Sequence, residues 1–350
     1  MVMKKKPFIL DVTVRDGSYA IDYQYSTERV SSIAAALDAA GIDAMEVSHG
    51  CGLGAARSLH LPAAATDLEY VEAAKQATKK IKVGVIAGGS AVTHKRDIDE
   101  VIDQVDFIRF AANCDDPRAV EENLSYVKKK KSALLVPFQM MRSSRLPVAK
   151  VIESAKIAEE MGVSILYIVD TNGHMLPAQV AELVRSTVSA LKIPVGFHAH
   201  NNLGLAIANT LAAIEAGALW VDGSLKGIGR SGGNTQLEAL VSLMKRLDYA
   251  RAVDFDALVS AGEKLVKPVM ESQGGVSGID LITADANIDL YPLSLYERIA
   301  QAAGIDFITF VRALASDPSY TEVGVDEIKR ALSSLGKEPE ALLAALGIRK

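Results

Sequence analysis

Cysteine is scarce in this chain: two residues in 350, Cys51 and Cys114, with no CxxC pair and no Cys/His cluster at zinc-finger spacing. That excludes a disulfide scaffold and a structural zinc module. An excess of positive charge is also missing, since 38 Lys and Arg stand against 43 Asp and Glu for a net charge of −5. The single dense basic run, Lys128 to Lys131, reads as a solvated helix end, so a nucleic-acid partner is not expected. No stretch of about 18 apolar residues occurs, which argues against a transmembrane helix and a membrane partner. The Lys-rich start runs through Pro7 into Phe8-Ile-Leu and then Asp11, too short an apolar stretch for a signal peptide, and the expected location is cytoplasmic.

What is present is a regular alternation. Short β-rich runs occur at Phe8 to Thr13, Ala44 to Ser48, Ile81 to Ala87, Phe107 to Ala111, Ala133 to Gln139, Ile165 to Val169, Val195 to His200 and Trp220 to Leu225. Between them lie amphipathic patterns such as Thr27 to Ala40, Asp67 to Thr78, Pro147 to Met161 and Pro177 to Leu191. Near-continuous apolar strands joined by helices mean a parallel sheet covered on its outer face. Eight such units in about 250 residues predict an α/β fold, a (β/α)8 TIM barrel. The expected division is a catalytic barrel over 1–250 and a helical C-terminal region over 251–350. Gly227-Ile-Gly-Arg-Ser-Gly-Gly233 fits the spacing GxGxxG. It follows the last strand rather than the first, so the better reading is a backbone-exposing loop after strand eight, of a kind that often holds anionic groups.

Working residues of such barrels sit where strands end. Strand seven ends Phe197-His-Ala-His-Asn-Asn202, and alternation along a strand sends His198 and His200 to one face. Strand one ends Asp11-Val-Thr-Val-Arg-Asp-Gly17, which brings Asp16 to the same mouth. Two imidazoles and a carboxylate with open positions suit a divalent metal, and ligand type alone does not choose among Mn²⁺, Mg²⁺, Co²⁺ and Zn²⁺. Arg15 can stabilise an enolate or carbonyl gaining charge, can pair with Glu46 on the neighbouring strand, or can do both. Thr171 and Asn172, after strand six, can hydrogen-bond a substrate carboxylate or simply form a turn.

Three strings carry a resemblance: Asp11-Val-Thr-Val-Arg-Asp-Gly17, Asp170-Thr-Asn-Gly173 and Phe197-His-Ala-His-Asn-Asn-Leu-Gly204. The chain resembles the TIM-barrel metallolyase superfamily of 3-hydroxy-3-methylglutaryl-CoA lyase, and within it the 4-hydroxy-2-oxovalerate aldolases. The relevant text is Val12 to Ile21, Val47-Ser-His-Gly-Cys-Gly-Leu53, Thr66 to Tyr70 and the loop from Gly227 to Asn234. The resemblance implies a metal-dependent (class II) pyruvate aldolase, Mn²⁺ foremost, that cleaves a 4-hydroxy-2-oxo acid to pyruvate and an aldehyde through an enolate. It implies Asp16, His198 and His200 as metal ligands, with Arg15 at the enolate and Thr171 at the carboxylate; His198 also borders the substrate. It further implies association into oligomers, an acylating acetaldehyde dehydrogenase as a partner subunit, and a setting in aromatic hydrocarbon catabolism.

One position departs from that pattern. Tyr19 stands where the family carries a histidine assigned to acid and base work, and an unperturbed phenol is a poor base at neutral pH. His49 and His174 are candidates to replace the missing histidine. Tyr291, with Tyr296 second, matches the tyrosine that the family brings into the site from its C-terminal region. An acyl-CoA Claisen enzyme on the same barrel is an alternative, although the loop lacks the Glu those synthases carry. A metal-binding homologue without turnover is the other.

Overall fold

The computed structural model describes residues 6–249, 252–270, 277–317 and 322–348. Eight strands form a closed parallel barrel in sequence order: β1 (Phe8–Asp11), β2 (Ala44–Glu46), β3 (Lys82–Ala87), β4 (Phe107–Asn113), β5 (Pro137–Met141), β6 (Ile165–Asp170), β7 (Val195–Ala199) and β8 (Trp220–Gly223). β1 closes the ring by pairing with both β2 and β8, with Leu10 opposite Ala44 on one side and Asp222 on the other. The TIM barrel expected from the alternation is therefore present.

Helix ends are set by local chemistry. Thr27–Ala40 begins where the Ser26 side chain accepts from the Arg29 N–H and stops at Gly41 with φ 81°. Asp67–Ala77 starts from a capping box between Thr66 and Glu69. Each helix turns an apolar stripe inward; in the first, Val30, Ile33, Ala34 and Leu37 are buried against the strands. A second, smaller apolar cluster lies inside the barrel, where Leu10, Val12, Phe107, Ile165 and Tyr167 meet.

The chain divides into two compact units, 1–275 and 276–350. The first runs past residue 250 because Phe255–Ala261 and the turns after it add Leu258, Ala261 and Val266 to the barrel's own apolar core. In the second unit, the helices Leu293–Ala303, Phe307–Leu314, Val325–Ser334 and Pro339–Ala345 surround their own core of Ile299, Phe310, Val311 and Leu332. A further helix, Gly278–Asp285, is capped by Ser277. Among the described residues no helix is long and apolar enough to cross a membrane.

Candidate metal centre

The Asp16, His198 and His200 side chains come together at the barrel mouth, each offering one ligand atom within 4.8 Å of the others. Asp16 opens a short 3₁₀ turn, Asp16–Ile21, that leaves β1, while the histidines alternate along β7 and its end. All three are buried. His198 Nδ1 lies 2.8 Å from Asp222 Oδ2 on β8, and His200 Nδ1 lies 3.2 Å from the Gly233 carbonyl. In both rings Nδ1 faces an oxygen acceptor, which leaves Nε2 as the nitrogen for a metal. Burial lowers the pKa of His200 to about 3, so its imidazole is neutral. For Asp16 burial works in the opposite direction, but Arg15, His200, His198 and the Arg230 N–H outweigh it and hold the carboxyl well below its usual range.

The Gly-rich loop after β8 does hold an anion: the carboxylate of Asp16. Arg230 N and Asn234 Nδ2 both donate to Asp16 Oδ1 at 3.1 Å. Glycine is required for this approach, since a Cβ on Gly229 would sit 2.3 Å from Asn234 Nδ2. The loop therefore supports two of the three triad residues, Asp16 directly and His200 through Gly233. Sequence reading found the loop and not this role, although a polar Asn234 following a run of glycines was the visible signal.

Arg15 makes the ion pair with Glu46 that was expected of it. Its Nε donates to Glu46 Oε2 at 2.7 Å and its Nη1 to Asp16 Oδ2 at 2.5 Å, while the buried Nη2 has no partner. Below it, Arg109 on β4 donates to both Glu46 oxygens, at 2.8 and 2.6 Å, and to Asp222 Oδ2 at 2.6 Å. Arg109, Glu46 and Asp222 are essentially inaccessible to solvent. Arg109 and Asp222 were missed, yet a charge within an apolar strand, as in Phe107-Ile-Arg-Phe, is rarely left unpaired and was a readable signal.

Thr171 Oγ1 accepts from Arg142 N at 2.7 Å, which leaves its hydroxyl hydrogen to donate. Tyr19 leaves the 3₁₀ turn toward Cys51, with which its hydroxyl is hydrogen-bonded, and its ring lies edge-on to Tyr23 at 5.5 Å. Gly50 makes the room: a Cβ there would be 3.0 Å from both the Tyr19 and the Tyr23 ring. Burial pushes the Tyr19 phenol well above its usual value, so it keeps its proton. His49 does not stand ready as a base. Its Nδ1 accepts from Cys51 N at 3.2 Å, its Nε2 faces the Leu61 carbonyl at 3.0 Å, and its ring stacks on Tyr23 at 4.0 Å. Both nitrogens thus have partners, the Leu61 carbonyl and Cys51, within this loop. The backbone N–H of His174 serves to hold Asp170 at 3.0 Å. Lys226 is ion-paired with Glu263 at 2.6 Å. Tyr291 is 36% exposed within the second unit, whereas Tyr296 is buried there and donates to the Val323 carbonyl at 3.3 Å.

Comparison with known proteins agrees with this geometry. The HMGL-like family model matches residues 6–265. A 4-hydroxy-2-oxovalerate aldolase of Carboxydothermus hydrogenoformans is 41% identical over 77% of this chain and 79% of its own length. An oxaloacetate decarboxylase of Mycobacterium tuberculosis is 33% identical over 94% of this chain and 96% of its own. Among solved structures, the carboxyl transferase domain of Rhizobium etli pyruvate carboxylase superposes with a TM-score of 0.77 at 15% identity, covering 99% of this chain and 62% of that one, a likeness of fold. A closed barrel, a His–His–Asp triad at its mouth and a family match over most of the length lead to one conclusion: the chain belongs to the HMGL-like family.

Proposed function

We propose that this protein is a divalent-metal-dependent aldolase that cleaves a 4-hydroxy-2-oxo acid to pyruvate and an aldehyde. The observation that carries the reading is the triad itself, with two imidazole Nε2 atoms and one carboxylate converging beside the unsatisfied Nη2 of Arg15. Asp16, His198 and His200 would hold the cation, with manganese as the metal proposed. The cation supplies a Lewis acid that draws electron density from the 2-oxo group.

Charge supports the fit. Arg15 and Arg109 bring two positive charges, and Asp16, Glu46 and Asp222 bring three negative ones, all within one buried network. A divalent cation turns this deficit of one into an excess of one, which a monocarboxylate substrate neutralises.

The chain's own residues do the remaining work. Thr171 donates to the substrate carboxylate. Arg15 Nη2 donates to the 2-oxo oxygen as it gains charge during cleavage of the C3–C4 bond. The C4 hydroxyl gives up its proton as the aldehyde forms, and C3 of the enolate takes one up. Tyr19, whose phenol keeps its proton, is the acid for C3. The hydroxyl proton passes to water.

One observation favours a second reading, loss of CO₂ from a 3-carboxy-2-oxo acid. That reaction needs an electron sink and an acid but no base, which suits Tyr19 and a His49 tied to backbone, and a relative of this chain bears the name oxaloacetate decarboxylase. The deciding experiment measures pyruvate release from 4-hydroxy-2-oxovalerate and from oxaloacetate by protein stripped with chelator and resupplied with Mn²⁺. Metal-restored release from the first supports the aldolase; release from oxaloacetate alone makes the decarboxylase the function. The proposal includes a cytoplasmic setting and an acylating acetaldehyde dehydrogenase to consume the aldehyde, which co-purification tests.

A further inference from the structure

The buried network contains a residue that the proposed chemistry does not use. Arg109 projects into the barrel from β4, across the ring from the triad, with its side chain at 0% exposure. Its three nitrogens serve two carboxylates from different strands: Nε and Nη2 take both oxygens of Glu46 on β2, and Nη1 takes Asp222 Oδ2 on β8. Each of those carboxylates has a second client at the mouth. Glu46 Oε2 receives Arg15 Nη1's neighbour, Nε, at 2.7 Å, and Asp222 Oδ2 receives His198 Nδ1 at 2.8 Å. The Tyr167 ring lies against the guanidinium at 4.9 Å and closes the network from within the barrel.

Stability does not account for this arrangement. Removing two carboxylates and a guanidinium from water costs roughly what their pairing returns, and a well-packed apolar substitute is often as stable. What the fork provides is fixed distance. A planar guanidinium bonded to both carboxylates sets the position of Glu46 relative to Asp222, and so of Arg15 relative to His198.

We infer that Arg109 is a positioning residue that locks the guanidinium of Arg15 and the imidazole of His198 into one register, so that a single buried side chain governs both metal affinity and enolate stabilisation. The second half of the inference rests on the proposed aldolase chemistry; the first does not. Lysine cannot reproduce the fork, because one ammonium does not bridge two carboxylates with fixed geometry. Asp222→Asn disturbs the His198 arm, including Arg109's bond to it, but leaves the Glu46 arm to Arg15 in place and keeps the side chain's shape.

Two readouts test it, on the full chain, after circular dichroism has shown that each variant is folded. Mn²⁺ binding in the absence of substrate is followed by the electron paramagnetic resonance of free Mn²⁺. Exchange of the pyruvate methyl protons with D₂O is followed by NMR at saturating Mn²⁺. Arg109→Lys should weaken Mn²⁺ binding about 10–100-fold and slow exchange even when metal is saturating, whereas Asp222→Asn should weaken Mn²⁺ binding by a similar factor with a smaller effect on saturated exchange. The His198 Nδ1–H proton resonance should shift in Arg109→Lys and change its partner in Asp222→Asn. If both variants bind Mn²⁺ within about twofold of wild type and keep the His198 signal, Arg109 is only structural and the inference falls. Should Arg109→Lys fail to fold, an unchanged Mn²⁺ affinity in Asp222→Asn overturns it alone. Wild-type protein that binds Mn²⁺ but exchanges no protons would count against the aldolase reading and leave the metal half standing.

Discussion

The inside of the barrel and the layer around it are built from opposite materials. Between strands and helices lies a continuous apolar core to which Ile33, Leu37, Val85, Phe110 and Leu183 belong. Within the ring, a small apolar plug of Leu10, Val12, Phe107, Ile165 and Tyr167 gives way toward the mouth to Arg109, Glu46, Asp222, Arg15, Asp16 and His198. The outer layer gains stability in proportion to area removed from water. The inner one gains little net stability and holds charges at set distances. Fold and chemistry are thereby separated, and substitutions in the two regions should fail in different ways.

The strongest test of that separation is Asp16→Asn. It should abolish Mn²⁺ binding and pyruvate formation while the metal-free protein keeps its fold by circular dichroism at a lowered melting temperature, because Arg15 loses one buried partner; loss of the fold itself would erase the distinction. Tyr19→Phe should come next, lowering methyl-proton exchange about 10²–10⁴-fold with Mn²⁺ affinity unaltered, as expected for a proton donor that is not a ligand. Leu37→Ala inverts the pattern: in the fully buried outer core it should cost about 2–5 kcal/mol in a denaturant titration, with Mn²⁺ affinity of the folded protein unchanged.

The smallest effect is a pH drift. Burial, with Glu238 and Asp222 adding to it against the Thr13 hydrogen bonds, pushes the Asp11 carboxyl up to about 7. Its folded pKa lies above the unfolded value, so the folded state binds the extra proton. This contribution to stability is fully present below about pH 4 and is lost as pH rises toward 7. Melting temperatures of metal-free protein between pH 5 and 8 should fall less with pH in Asp11→Asn than in wild type.

Much of this was legible in the sequence. Short, near-continuous apolar runs separated by amphipathic ones gave all eight strands, and alternation along β7 together with the end of β1 gave the triad, because both signals are local. The ion pair of Arg15 with Glu46 was readable from neighbouring strands. Less local facts were not. Whether His49 is a base depends on the carbonyl of Leu61 and the N–H of Cys51, whose approach is set by loop conformation. Arg109 meets Asp222 across 113 positions of sequence, and no periodicity reports which side chains span a ring. The unit boundary moved because the helix Phe255–Ala261 presents an apolar face like any other, and only packing tells which core receives it.

Closure of the ring has one more consequence. Asp16 leaves the first strand, the histidines leave the seventh, and the loop that fixes Asp16 follows the eighth, so the site spans 218 positions between Asp16 and Asn234. While the chain is being synthesised, no metal pocket exists until its last strand has emerged and met its first. The candidate metal centre is therefore a property of the closed ring, since its three side chains cannot meet before the barrel does.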